Sequence, residues 1–188
     1  PILFEGIVSV RALLEAAENG YKPRHIERIV VAEERAAAAK KELGWLRARS
    51  HALGFELCTA PRSAVDAAAT GTTHGGILAY CEPREYPTLD CDFIARTKKH
   101  GFYVMIEGIE DPYNFGYALR SVYSAGADGI ILSPRNWLSA AGTVCRSSAG
   151  ASELADIATA AGADTAAVFR GAGFRIIGTD LDDSVSVY

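Results

Sequence analysis

"IEGIEDPYNFGYALRSVYSAGADGIILS", residues 106–133, reads as strand, loop, helix, strand. In open α/β sheets, ligands bind beyond the carboxyl ends of the strands. The loop between a predicted strand at 102–107 and a predicted helix at 115–125 therefore lies on a binding rim. Neither G-x-G-x-x-G nor G-x-x-x-x-G-K-[ST] occurs, which argues against dinucleotide and P-loop chemistry. The loop instead carries Asp111, Pro112, Tyr113, Asn114 and Gly116, with Arg120 one turn beyond. Asn114 is expected to cap the helix. Gly116 and Arg120 are four apart, hence on one face, and helical side chains lean toward the N-terminus. The Arg120 guanidinium is thus expected to run back over the bare Gly116 to reach Asn114 and the free N–H groups at the helix start. Amide, guanidinium and helix-start donors brought together suit a phosphate and a neighbouring hydroxyl. Plainer readings stand beside this one. Asn114 is then only a cap, Arg120 a solvated cation or an ion-pair partner of Asp111, and Gly116 a relief of crowding where strand and helix meet.

The same alternation continues on both sides of this stretch. Ahead of it, "FIARTKKHG" reads as a short basic helix. After it come a strand at 129–133, a helix within 137–148, a short strand within "GASELADIATA", a helix over "ADTAAVFRGAG" and a strand over "FRIIGTDL". Strands separated by helices imply parallel pairing with right-handed crossovers. The first half reads α-β-α-β-α-β. Its helices are "GIVSVRALLEAAENG", the alanine-rich "ERAAAAKKELGWLRARSHALG" and "PRSAVDAAAT"; its strands are "IERIVVAE", Phe55–Cys58 and "GILAYCE". Between the halves, "EPREYPTLDCD" holds two prolines and four acids with little periodicity, as a linker does. The expected organisation is a small α/β domain over 1–85, a linker over 86–95 and a parallel-sheet α/β domain over 96–188.

With 188 residues, 49% of them apolar, the chain can bury real cores. Its net charge of −4 argues against coating nucleic acid by charge alone, so any such contact must use local basic patches. "RARSH", with Arg47, Arg49 and His51, is the densest patch of the first half, and "TKKH" at 97–100 is similar. Either could equally be a solvated face. Cys58, Cys81, Cys91 and Cys145 form no C-x-x-C pair and have no metal-ligand spacing with the histidines, so free buried thiols of a reducing cytosol and no metal are expected. No apolar run is long enough to span a membrane and no charged-then-apolar leader opens the chain, which points to a cytoplasmic protein with no membrane partner.

At residues 111–120 the sequence resembles the SpoU/TrmH family of RNA ribose 2'-O-methyltransferases, within the SPOUT superfamily. The family's first motif, Asp-Pro-x-Asn-x-Gly-x-x-x-Arg, stands here as "DPYNFGYALR" without a gap. "SSAGASE", residues 147–153, is similar to the family's small-residue segment after the second strand. "FEGIVSVRALLEA" and "TGTTHGGILAY" resemble the start and end of the substrate-binding domain of many members, with Gly75 where glutamine is usual. The Gly-x-Glu and Ser-Leu-Asn-type stretches that build the knotted cofactor loop are not found in these residues. The expectation is a SPOUT-type α/β knot domain cut off before its knot, and the cofactor-binding residues are left unassigned.

The resemblance implies transfer of a methyl group from S-adenosylmethionine to a ribose 2'-hydroxyl of structured RNA, rRNA first and tRNA second, by a homodimer. It gives Asn114 and Arg120 the catalytic roles. The family is described with this arginine assisting deprotonation. Because arginine stays protonated in proteins, a cationic clamp on the phosphate and the developing alkoxide is the easier picture. Candidate RNA contacts are Arg47, Arg49, His74 in its glycine-rich loop and Arg146 beside the small-residue segment, with Tyr113 facing a base or packing in the core. The alternative is a non-catalytic RNA-binding protein on the same scaffold.

Overall fold

The computed structural model describes residues 1–20, 22–134 and 140–179. The first half of the chain forms β1 (Ile2–Glu5), α1 (Gly6–Asn19), β2 (Ile26–Ala32), α2 (Glu33–Ala38), α3 (Lys40–Leu53), β3 (Glu56–Ala60), α4 (Arg62–Ala68) and β4 (Ile77–Cys81). Its four-stranded sheet has the order β1-β4-β2-β3. β4 runs antiparallel to both β1 and β2, and only β2 and β3 are parallel. The α-β-α-β-α-β reading thus misses β1. "ILFE" is short and enters α1 with no turn signature beyond Gly6, which makes the corner at φ +84°. The expected alanine-rich helix is two helices, broken at Ala39 (φ −108°, ψ 55°), and nothing in the structure explains the break.

The second half forms α5 (Cys91–Thr97), β5 (Tyr103–Ile106), α6 (Pro112–Ser124), β6 (Gly129–Leu132), α7 (Ala141–Ser147), α8 (Ala151–Leu154), β7 (Ile157–Thr159) and α9 (Gly162–Gly171). The strands pair in parallel in the order β5-β6-β7, as the alternation requires. The central strand β6 is buried along its whole length, because helices cover both faces of a parallel sheet. Ile131 packs with Phe93, Ile94 and Phe169 on one side. Ile130 and Leu132 pack with Phe115, Leu119 and Val144 on the other. The strand expected over "FRIIGTDL" does not form in residues 174–179, where Ile177 is 70% exposed, and the remainder of that stretch lies outside the described residues. Among the described residues no strand lies beside them to pair with.

The residues between the halves are docked. The Leu89 N–H donates to the Thr159 carbonyl (3.0 Å) and the Thr159 N–H to the Pro87 carbonyl (2.8 Å), so this segment runs along β7. Asp90 then caps α5, its Oδ1 accepting the Phe93 N–H at 2.7 Å.

α7 belongs to two cores at once. Ala141 and Cys145, four apart on one face, enter the core of the first sheet beside Phe4, Val10 and Leu14. Val144 faces the second core. Gly142 makes this possible, since a Cβ there would lie 2.1 Å from the Leu3 carbonyl oxygen of β1. A buried ion pair ties the halves further. Arg24 Nε is 2.9 Å from Glu153 Oε2, with the side chains 3% and 1% exposed. Arg84 Nη1 donates to the Ser152 and Glu153 carbonyls at 3.2 and 3.3 Å.

Asp128 organises the "TKKH" segment before β5. Its Oδ2 accepts N–H bonds from Lys99 (3.1 Å), His100 (2.8 Å), Gly101 (2.6 Å) and Phe102 (3.2 Å). Burial pushes this carboxyl up, but the four N–H donors outweigh it and hold its pKa below the usual value. A pKa lowered by folding stabilises the protein above the unfolded value, near 3.9, and that contribution is lost as pH falls through the folded value. Asp128→Asn is therefore expected to lower stability at pH 7 and to cost much less near pH 2. Urea unfolding at both pH values measures this, and an equal loss at both would overturn it.

Candidate active site at the carboxyl rim of the parallel sheet

Asp111 starts α6. Its Oδ1 accepts the Asn114 N–H at 2.8 Å, and Pro112 occupies the first helical position, where a missing N–H costs nothing. The cap is thus Asp111 and not Asn114, and the helix begins three residues earlier than the sequence reading placed it. Asp has the short acceptor the cap needs, and Pro can follow it directly. Asn114 lies in the first turn with its side chain exposed.

Gly116 is bare for a different neighbour than expected. A Cβ there would lie 1.9 Å from Ser147 Oγ and 3.0 Å from the Ser148 nitrogen. α7 occupies the space, so the arginine does not run across this glycine. Ser147 Oγ itself donates to carbonyls, that of Thr143 at 2.9 Å and that of Pro112 at 3.3 Å. Arg120 is exposed on the third turn of α6 and makes no ion pair with Asp111, which serves as the cap. Six residues along a helix separate Asn114 and Arg120 by about 9 Å of rise. Both side chains are exposed, about 120° apart around the helix. Gly116→Ala is expected to separate α6 from α7 and cost about 2–4 kcal/mol, because Ser148 backbone blocks relaxation. Guanidinium unfolding of the variant measures the loss, and a change under about 0.5 kcal/mol would show that α7 yields freely.

Beside α6, the ends of β5 and β6 form a notch lined by Glu107, Gly108, Phe115, Leu132 and Ser133, among others. The Ser133 hydroxyl donates to Glu107 Oε1 at 2.7 Å. Glu107 was missed from sequence, although its place at the end of a predicted strand was the available signal. The cavity volume of the notch is about 10 Å³. Pockets that enclose a small molecule span about 300–1,000 Å³. The described residues therefore do not by themselves enclose a nucleoside cofactor, and none of them is assigned to one. Among the described residues no group of three or more His, Cys, Asp or Glu could hold a metal ion.

The candidate RNA contacts of the sequence reading fare unequally. Arg47 is exposed on α3. Arg49 is 3.0 Å from Glu18 and lies 4.4 Å over the Trp45 ring, so its charge is engaged within the protein. His74 is only 3% exposed. Its Nδ1 accepts the Gly76 N–H at 3.2 Å and its Nε2 is 3.2 Å from Asp66 Oδ1. A ring so enclosed shapes its loop and cannot stack on RNA. Arg146 Nη1 donates to Glu5 Oε2 at 3.0 Å and to Thr73 Oγ1 at 3.3 Å, joining α7 to the first half of the chain. Phosphate contact by Arg146 would have to break that pair. Tyr113 is 47% exposed, which removes the core-packing reading.

The two buried thiols are not primed for nucleophilic work. Burial pushes Cys81 up to about 12 and Cys145 higher still, with Glu153 adding to both, so each stays protonated. The expectation of buried thiols fails at Cys91, which is exposed at the start of α5.

Residues 101–188 match the SpoU rRNA methylase family, and residues 5–87 match the RNA 2'-O ribose methyltransferase substrate-binding family. A protein of Staphylococcus saprophyticus assigned to the TrmH family of tRNA/rRNA methyltransferases is 31% identical over 128 residues, which are 66% of this chain and 51% of that protein. Among solved structures, an rRNA methyltransferase from Sinorhizobium meliloti superposes with a TM-score of 0.72 over 98% of this chain and 64% of that one, at 22% identity. An AdoMet-bound rRNA methyltransferase structure from the same organism gives 0.66 over 91% of this chain and 58% of that one, at 19% identity. The chain thus spans about half of the Staphylococcus protein and under two thirds of either structure.

Proposed function

Because this chain belongs to the SpoU/TrmH family of RNA methyltransferases, we propose that it serves S-adenosylmethionine-dependent methylation of a ribose 2'-hydroxyl in structured RNA. The observation that carries this reading is the Asp111–Arg120 stretch, set at the carboxyl rim of a parallel sheet with Asn114 and Arg120 both exposed. Residues 1–85 choose the RNA by shape and unpaired bases, as RNA recognition generally does, and residues 96–188 carry the transfer site. rRNA is the first target class and tRNA the second.

When bound, S-adenosylmethionine supplies an electrophilic methyl group. The roles of the chain's own residues follow from their chemistry. A 2'-hydroxyl is a weak nucleophile, so its proton must be shared as it reacts. Asn114 presents an amide that can both donate to and accept from the ribose hydroxyls. Arg120 stays cationic, grips the adjacent phosphate and stabilises the alkoxide as it develops. A phosphate oxygen or water takes the proton.

The second reading, a non-catalytic RNA-binding protein, is favoured by one observation: the rim notch is too small to enclose a cofactor. Incubating the protein with labelled S-adenosylmethionine and total RNA, then mapping the modified nucleotide, separates the two. Label on a ribose 2'-oxygen supports the enzyme. RNA binding without label in any RNA fraction supports the binding protein.

A homodimer is also proposed. Tyr117 of α6, 55% exposed, offers an aromatic anchor for a second copy, and sedimentation at micromolar concentration tests it. A cytoplasmic location is proposed with it. No helix among the described residues is long and apolar enough to cross a membrane.

A further inference from the structure

A recess of the described surface that the proposed chemistry leaves unused lies where the two halves of the chain meet. Leu3, Glu5 and Thr70 line it from the first half, and Tyr113, Thr143 and Arg146 from the second. Its cavity volume is about 350 Å³. That is room for a nucleobase with its sugar. Its base is rigid, because α7 meets β1 backbone to backbone at Gly142 and Leu3. Its rear wall is fixed as well. The Glu5 carboxylate accepts the N–H groups of Thr70 and Gly71 and pairs with Arg146. At the lip stands Tyr113, next in sequence to Asn114 and 47% exposed.

We infer that this cleft takes an unpaired base of the substrate RNA, adjacent to the nucleotide held at Asn114, with Tyr113 stacking on it. The inference rests on the RNA-methylation reading above and names which residues read the strand beyond the target ribose. Three features select a base over other RNA groups. The Glu5–Arg146 pair is neutral as a unit and places a carboxylate in the wall, which disfavours a bare phosphate. The hydroxyls of Thr70 and Thr143 both donate and accept, as a base edge requires. An exposed tyrosine ring stacks on any base, since each presents a π-face. Because both halves of the chain line the cleft, an occupied cleft also reports that they are docked as described.

The test is fluorescence anisotropy of the protein with a short fluorescein-labelled single-stranded RNA of mixed sequence. Tyr113→Ala is expected to weaken binding about tenfold, the usual scale of one lost stacking contact. Tyr113→Phe keeps the ring and should bind as wild type. Thr143→Trp fills the cleft from the α7 side and should lose as much as Tyr113→Ala. Circular dichroism melts show whether each variant is folded, and the exposed position of Tyr113 keeps the alanine variant informative if the tryptophan one fails. Undiminished binding by folded Tyr113→Ala, or loss in Tyr113→Phe equal to that in Tyr113→Ala, overturns the inference. If wild type binds and methylates RNA while the variants bind equally well, only the cleft assignment falls. If wild type binds no RNA at all, the methylation reading falls with it.

Discussion

Arg24→Met is expected to destabilise the protein by about 3–5 kcal/mol, a large share of what holds a domain folded. The substitution keeps most of the side-chain volume and removes the charge, leaving the Glu153 carboxylate 1% exposed without its cation. The carboxylate keeps only a Ser152 hydroxyl at 3.3 Å among its described hydrogen bonds. Desolvation of an unpaired charge is what makes the loss large, because the attraction of the intact pair does little more than offset the cost of burying both ions. The double variant Arg24→Met/Glu153→Met removes both charges together and is expected to recover most of the loss. Urea unfolding of wild type, single and double variants completes the cycle. If the double variant proves as unstable as the single one, packing around Phe4, whose ring lies 5.1 Å from the Arg24 guanidinium, matters more than charge. Since the two partners are 129 residues apart, the single variant should also loosen the two halves from each other. Faster proteolysis between residues 82 and 91 would report that loosening.

Arg120→Ala is expected to lower methyl transfer to RNA by about 10²–10³-fold, the scale on which one preorganised donor to a developing oxyanion contributes. Stability should be nearly unchanged, because the side chain is exposed and packs into neither core. Arg120→Lys separates two versions of the role. A point charge alone restores part of the activity, whereas a bidentate grip on a phosphate does not survive the change. The pH dependence adds an independent test. An arginine that remains cationic gives no pH-rate step of its own in the neutral range. A step in kcat near neutral pH that vanishes in Arg120→Lys would contradict the clamp and favour a deprotonating arginine.

Several elements follow from local physics and are readable in one dimension. The parallel strands come from alternation with helices, and β6 from its unbroken run Gly129–Leu132. Phe115 and Leu119 lie on the stripe expected of α6, and both are buried. α1 occupies nearly the residues its apolar spacing marks. Misreadings arise where a neighbour distant in sequence sets the outcome. β1 is a strand because β4 supplies its hydrogen bonds from residues 78–81. Residues 174–179 carry β-forming residues yet, among the described residues, have no strand beside them. Propensity proposes an element, and the partner determines whether it forms.

The site divides in the same way. Residue order alone gave a rim loop leading into a helix that carries Arg120, at the edge of a parallel sheet, because helical period and crossover connections are short-range rules; the Asp111 cap and the earlier start at Pro112 were not read from it. The uses of Gly116, His74 and Arg146 could not be read there. Gly116 is bare for Ser147, His74 is closed in against Asp66, and Arg146 answers a carboxylate 141 residues away. Each of these follows from how two distant surfaces are brought into contact, and that depends on three-dimensional packing with no trace in local spacing.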